Sequence, residues 1–213
     1  MIPPFNSKLE SLYFFSNECI ENMKQIEFKH SKEEGIQKAY AATLKYISKN
    51  EEAAGGCHFI SSMLHILLEE QGIENTVAIG EVQDHEANII FSHSWVEING
   101  DVFDPAIMHT LDGAVHPPVY YGVNLSTLEP PNMMYGVSAN KEDLDIIAKQ
   151  LLPISITSYL DNIKQQGFPK NYLWDEIIKA GTGILGYTNT SRLRKKYDNH
   201  YRIFKFKNNE LPF

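Results

Sequence analysis

The segment Cys57 to Gly72 (CHFISSMLHILLEEQG) limits the fold more than any other stretch of the chain. Phe59, Ile60, Met63, Leu64, Leu67 and Leu68 recur at helical spacing and spread over one broad side. A face that wide must be covered from several directions, so the spacing predicts a helix at the centre of the core, not on its surface. Gly72 is a natural C-terminal stop, and Gly55-Gly56, inside EEAAGG, breaks the chain just ahead of the helix. Strand signals follow. Thr76 to Val82 is rich in β-branched residues, and Ile89 to Ile98 alternates in part. Asn99-Gly100 is a two-residue hairpin signal leading into Asp101–Asp104, and Pro105 limits that third strand.

Around this centre the pattern is helical at both ends. Ser7 to about Ile26 carries apolar residues at loose helical spacing. A clearer helix begins at a Ser31/Glu34 capping box, with Ile36, Tyr40, Leu44 and Ile47 on one face, and fades near Asn50. Residues 106–139, holding Pro117-Pro118 and Pro130-Pro131, read as mostly irregular. Helices resume at about 141–152, 154–166 and 172–180; Gly181, Gly183 and Gly186 then break the pattern before a basic helix and a short final strand, RIFKF. Helices, then a strand meander, then helices define an α+β fold: a central helix on an antiparallel sheet, with extra N- and C-terminal helices. At 213 residues, against about 150 per domain, the expectation is one domain over 1–213, with its core at about 50–108 and a C-terminal helical elaboration at about 140–213.

Composition excludes several classes. The net charge of -8 argues against a nucleic-acid binder. No apolar run approaches the roughly 20 residues that span a bilayer, and MIPPFNSKLE does not read as a secretory signal. Two cysteines, Cys19 and Cys57, allow at most one disulfide; free thiols in a reducing, cytoplasmic compartment are expected. The charge is uneven: residues 191–207 hold seven basic residues, including all three arginines, and one acid. That stretch either meets an anionic partner or, the favoured reading, lies on its own acidic body.

Chemistry converges on three side chains. Cys57 sits where a glycine loop enters the central helix, so its thiol meets unpaired N–H groups and the positive end of the helix dipole, both favouring thiolate. With a two-residue turn at Asn99-Gly100, Ile98 pairs with Asp101 and Trp95 with Asp104; alternation then puts His93, Trp95 and Asp104 on one face. His93 becomes the diagonal neighbour of Asp104, within side-chain reach. Such a carboxylate can fix the imidazole tautomer and leave the other nitrogen for a thiol. Asp101 points to the opposite face. Each member alone has an ordinary reading: an inert small hydrophobe for Cys57, a structural hydrogen-bonder for His93, a turn former for Asp104.

Other candidates are weaker. A zinc site from His85, His93, Asp104 and His109 lacks any paired-ligand spacing, so no metal is expected, and no cofactor motif occurs: Gly181 to Gly186 lacks the Lys-Ser/Thr ending of a phosphate loop. His58, turned about 100° from Cys57 on a helix, is expected on the solvent side. Tyr120-Tyr121 and Met133-Met134-Tyr135 suggest either a peptide groove or aromatic cover for the sheet.

Taken together, GGCHFISSMLHILLEEQGIENTVAIGEV and SHSWVEINGDVFDPA resemble the catalytic core of the transglutaminase-like superfamily, which shares a papain-like Cys-His-Asp arrangement. Cys57 opens the core helix, His93-Ser94-Trp95-Val96-Glu97 stands in the place of the family's H-A-W-V-E, and Asp104-Pro105 in that of its D-P. The short spacings, 36 and 11 residues, are most similar to the compact bacterial branch containing the lasso-peptide leader proteases. Arylamine N-acetyltransferases share the triad, but the Arg of their Arg-Gly-Gly-x-Cys signature is absent ahead of Gly55-Gly56. The resemblance implies a cysteine peptidase or amidase acting on a peptide or protein substrate. Cys57 would be nucleophile, His93 base and Asp104 orienter; Trp95, on the same face, is expected to shield the His–Asp pair from water, and Trp95 and Gly56 are the candidate substrate-binding residues. The alternatives are transglutaminase-type transfer to an amine and a catalytically silent binding module.

Overall fold

A computed structural model describes residues 8–27, 30–50, 53, 55–110, 115–162, 169 and 171–206 of the chain. The architecture is α+β. Helices α1 (Lys8–Met23), α2 (Glu33–Ile47) and α3 (Cys57–Glu69) precede a meander of β1 (Thr76–Asp84), β2 (Ile89–Ile98) and β3 (Asp101–Phe103). Short strands β4 (Val119–Tyr120), β5 (Val123–Asn124) and β6 (Met133–Tyr135) follow. Helices α4 (Ile146–Leu151), α5 (Ile156–Asn162), α6 (Tyr172–Ala180), α7 (Thr182–Leu185) and α8 (Thr190–Tyr197) then lead to β7 (Ile203–Phe204).

The centre is the one the apolar spacing predicts. Every residue of α3 from Phe59 to Leu68 is buried, including Ser61, Ser62 and His65, and α3 packs against α2 on one side and β2 on the other. Gly72, at φ +68°, ends the turn that follows. On α2 the expected face is buried, but no capping box forms: the helix starts at Glu33, its N-cap is Lys32, and the backbone N–H of Lys32 donates to Nδ1 of His30. Ser31 lies one residue too early to cap it.

The sheet runs β3-β2-β1-β6, all antiparallel, with β7 added to β1 in parallel. The turn residues Asn99 (φ 54°) and Gly100 (φ 91°) adopt the positive φ pair of a type I′ turn, which fixes the register Ile98↔Asp101 and Val96↔Phe103. Only β7 departs from the expected antiparallel pattern. Residues 106–139 are less irregular than their prolines suggest. A 3₁₀ turn covers Ala106–Met108, β4 and β5 pair with each other, and β6 joins the sheet at Val82↔Tyr135. The expected glycine break after α6 contains a turn of helix, α7. Residues 163–166, the expected end of α5, lie outside the described residues, as do Glu51, Glu52 and Ala54 of the glycine loop. Among the described residues no helix is long and apolar enough to cross a membrane.

The basic C-terminal stretch is tied to its own chain. Arg192 and Lys196 both bond the carboxylate of Glu70, Arg194 pairs with Asp161 at 2.7 Å, Lys205 with Glu97 at 2.6 Å, and Arg202 is buried.

Candidate active site

Cys57 is the first residue of α3, with Gly56 at the N-cap position and no side chain capping the helix. Gly55 takes φ +66°, which an L side chain rarely adopts, and its N–H donates to the carbonyl of His109 at 3.0 Å. The chain therefore turns sharply into the helix, leaving the thiol half-buried at the start of the first turn, where free N–H groups gather.

His93 and Asp104 meet as the hairpin register requires. The Nε2–H of His93 donates to Oδ2 of Asp104 at 2.8 Å; the two residues are 3% and 0% exposed. β3 stops at Phe103, and Asp104 turns away to bridge Val119, its N–H donating to the Val119 carbonyl at 2.7 Å. Its two carboxylate oxygens do different work. Oδ1 accepts the N–H groups of Ala106 (3.0 Å) and Ile107 (3.2 Å), making the turn that an Asp before Pro is expected to make. Oδ2 accepts His93 and also the hydroxyl of Tyr135 at 2.8 Å. One carboxylate thus makes the expected turn and also meets the imidazole.

With Nε2 engaged, Nδ1 of His93 is left for the sulfur, and the imidazoles of His93 and His58 both stand close enough to the Cys57 thiol to act on its charge. Burial alone would raise the thiol pKa; the two imidazoles, His58 and His93, outweigh it and bring it down to about 5. Burial would likewise deprotonate His93, but the carboxylate of Asp104 and then the thiolate hold it protonated, up to about 10. The resulting arrangement is a thiolate–imidazolium pair anchored by a buried carboxylate.

Three residues occupy different places from those expected. His58 is not on the solvent side: its Nδ1 bonds Oγ of Ser94 at 2.7 Å and its ring stands beside Cys57. The first turn of α3 packs on β2, so the imidazole that sequence spacing turns away from the thiol is folded back by Ser94. Trp95 is 1% exposed, gives its indole N–H to Glu97 at 3.0 Å and packs edge-on against Tyr135, with ring centres 5.0 Å apart. It supports the residue that supports Asp104 and does not line the cleft at Cys57. Gly55, rather than Gly56, lines the open cleft at the thiol.

Two residues reach the site with no signal of that role in the sequence. Tyr135 comes from a three-residue strand in a stretch that reads as irregular. Arg202, from the basic tail, is 3% exposed and donates through Nη2 to the His58 carbonyl (3.2 Å) and Ser62 Oγ (3.0 Å). Its guanidinium lies 4.4 Å from the ring centre of Tyr159, and Nε and Nη1 have no hydrogen-bond partner among the described residues.

A cleft of about 280 Å³ opens at Cys57 and His93, lined further by Ile89, Phe91, Ser92, Ala106 and Asp145. His109 and His116 also line it, but among the described residues no three His, Cys, Asp or Glu side chains gather as a metal would need. Compared with known proteins, the chain matches no family model, no curated protein and no solved structure.

Proposed function

We propose that this protein is a thiol-dependent acyl-transfer enzyme, a cysteine peptidase or amidase built on a papain/transglutaminase-like core, cleaving a peptide or isopeptide bond. The observation that carries the reading is that Cys57 and His93 line one open cleft while His93 is held by Asp104 at 2.8 Å. The thiolate of Cys57 attacks the carbonyl carbon, and the free N–H at the start of α3 faces the oxygen that gains charge. The His93 imidazolium gives its proton to the leaving amine as the C–N bond breaks, leaving a thioester on Cys57. Water, deprotonated by His93, then attacks the thioester and releases a carboxylic acid, restoring the thiolate and imidazolium. Asp104 keeps one tautomer and one ring orientation throughout.

The test needs no substrate. At pH 6 iodoacetamide should alkylate Cys57 about tenfold faster than free cysteine, because the gain in thiolate outruns the lower nucleophilicity of a low-pKa thiol. His93→Ala should remove that advantage, and Cys57→Ala should abolish the labelling. A wild-type rate equal to that of free cysteine overturns the reading. Trapping of an acyl group by added amines would move the assignment from hydrolysis to transfer.

A further inference from the structure

We propose that the substrate binds as an extended, apolar peptide that adds a strand to the open edge of β2 at Ile90 and Ser92, with side chains seated in the cleft. This rests on the thiol-enzyme reading above. Ile98 and Asp101 flank a two-residue turn, so they exchange both of their backbone hydrogen bonds. Counting back by twos, Val96, Ser94, Ser92 and Ile90 direct their N–H and C=O groups to that same side. Only Val96 and Ile98 find β3 there, because β3 ends at Phe103 and Asp104 leaves for Val119. β1 covers the other side of β2 from Ile89 to Glu97. From Ile90 to Ser94 the outward edge is therefore unpaired among the described residues, a template for another strand.

The edge runs beside the cleft, since Ile89, Phe91, Ser92 and His93 all line it. Its volume, about 280 Å³, falls below the roughly 300–1,000 Å³ of sites for drug-sized ligands and suits one or two side chains of a peptide. Its surroundings are apolar where solvent would favour polar groups: Ile89 is 43% exposed, Ile90 55%, Ile146 72% and Ile147 55%. The two residues of α4 belong to this rim because the N–H of Asp145 donates to Ser92 Oγ at 2.8 Å. The charge around it sets the sign of the partner. Glu81 pairs across the ladder with Ser92, Asp143 and Asp145 stand near Glu81, and no described cation forms an ion pair with any of the three. An acidic peptide is repelled there.

The probes are acetyl-tripeptide acyloxymethyl ketones, whose carboxylate is displaced by the Cys57 thiolate to leave a thioether. Acetyl-Val-Leu-Gly, acetyl-Asp-Asp-Gly and a copy of the first N-methylated at the Leu amide are compared, each labelling rate divided by the iodoacetamide rate on the same protein. The apolar probe should exceed the acidic one by about tenfold or more, and N-methylation should cost about tenfold, the worth of roughly one hydrogen bond with its desolvation. Ile90→Pro removes an N–H that points outward, not into the β1 ladder, and should erase the apolar probe's advantage in this ratio. Equal normalised rates for all three probes overturn strand addition while leaving the thiol reading intact. A Cys57 no faster with iodoacetamide than free cysteine overturns that reading and this one with it.

Discussion

Two buried histidines lie along α3, and they are tuned in opposite directions. His93, beside the N-terminal end of the helix, is 3% exposed, and His65, within the helix, is 4% exposed, so desolvation presses both toward neutrality. His65 bonds the side-chain carbonyl of Asn75 at 2.7 Å and the ring of His200 at 2.9 Å. Burial dominates there; the Asn75 bond opposes it weakly, and His200, Lys196 and Arg202 add positive charge nearby, bringing the ring down to about 4. His93 has a carboxylate in place of the amide and rises to about 10. The two thiols repeat the lesson. Cys19 is fully buried, and desolvation with the nearby charge of Glu18 pushes it up to about 12, whereas Cys57 beside two imidazoles falls to about 5. Burial pushes all four groups toward their neutral forms, though Cys57 is only half-buried; the charge of the partner decides which are ready for chemistry.

Removing the partner should make Cys57 resemble Cys19. In His93→Gln the absorbance titration of the Cys57 thiolate should rise from about 5 part of the way toward the ordinary thiol value, by roughly two units because His58 still lowers it, with Cys19 largely silent below about pH 11. A midpoint that stays below 6 would remove His93 from the pair. Asp104→Ala attacks the same side of the comparison through stability. It strands a buried imidazolium, the Tyr135 hydroxyl and two backbone N–H groups, and should cost about 3–5 kcal/mol in urea unfolding. A loss under about 1 kcal/mol would mean that the carboxylate does not hold a charged ring.

The two histidines should also separate in pH. His65 has a folded pKa below its unfolded value of about 6.5, so the unfolded chain binds more protons between about 4 and 6.5; its contribution is present above that range and lost as the pH falls through it. His65→Gln should therefore flatten the acid limb of stability by about 3 kcal/mol between pH 6.5 and 4. The Cys57–His93 pair behaves differently. The His93 contribution is complete below about 6.5 and lost as pH rises through about 10; that of Cys57 is complete above about 9 and lost as pH falls through about 5. Proton counts in the folded and unfolded states then match between about 6.5 and 9, giving a plateau. An acid limb unchanged by His65→Gln would show that the buried ring is not neutral.

The sequence made some of this legible for a physical reason. The α3 core and the Asn99-Gly100 hairpin are local, and side-chain alternation in a two-residue hairpin is enough to bring His93 to Asp104. What stayed hidden depends on packing between distant segments. Cys57 reaches His93 only because α3 lies across β2, and His58 turns inward only because Ser94 is there to receive it. Alternation puts Trp95 on the face of His93 and Asp104 but carries no information about depth, and the indole lies fully buried, propping Tyr135. Tyr135 reads only as groove lining or sheet cover because three residues, Met133–Tyr135, are too few for a period to place it beside Asp104. Arg202 escapes because an arginine in a basic run reads as solvated unless something shows it to be buried.

That arginine gives the smallest expected effect and the sharpest question about how the C-terminal segment relates to the cleft. β7 carries Arg202 to the underside of the first turn of α3, where it holds the carbonyl of His58 and adds a fixed positive charge near the thiolate. At an effective dielectric of about 20 and a separation on the order of 10 Å, that charge is worth about 1.7 kcal/mol, roughly one unit of thiol pKa. Arg202→Gln should raise the Cys57 titration midpoint by that amount, and Arg202→Lys should return most of it, since lysine restores the charge but not the paired donors. The stability cost should be modest, because a guanidinium with two nitrogens, Nε and Nη1, unmatched by the described residues already bears a desolvation penalty that glutamine relieves. If both variants lose stability equally while the midpoint stays fixed, Arg202 only braces the helix, and the asymmetry between the two ends of α3 lies wholly in His58, His93 and Asp104.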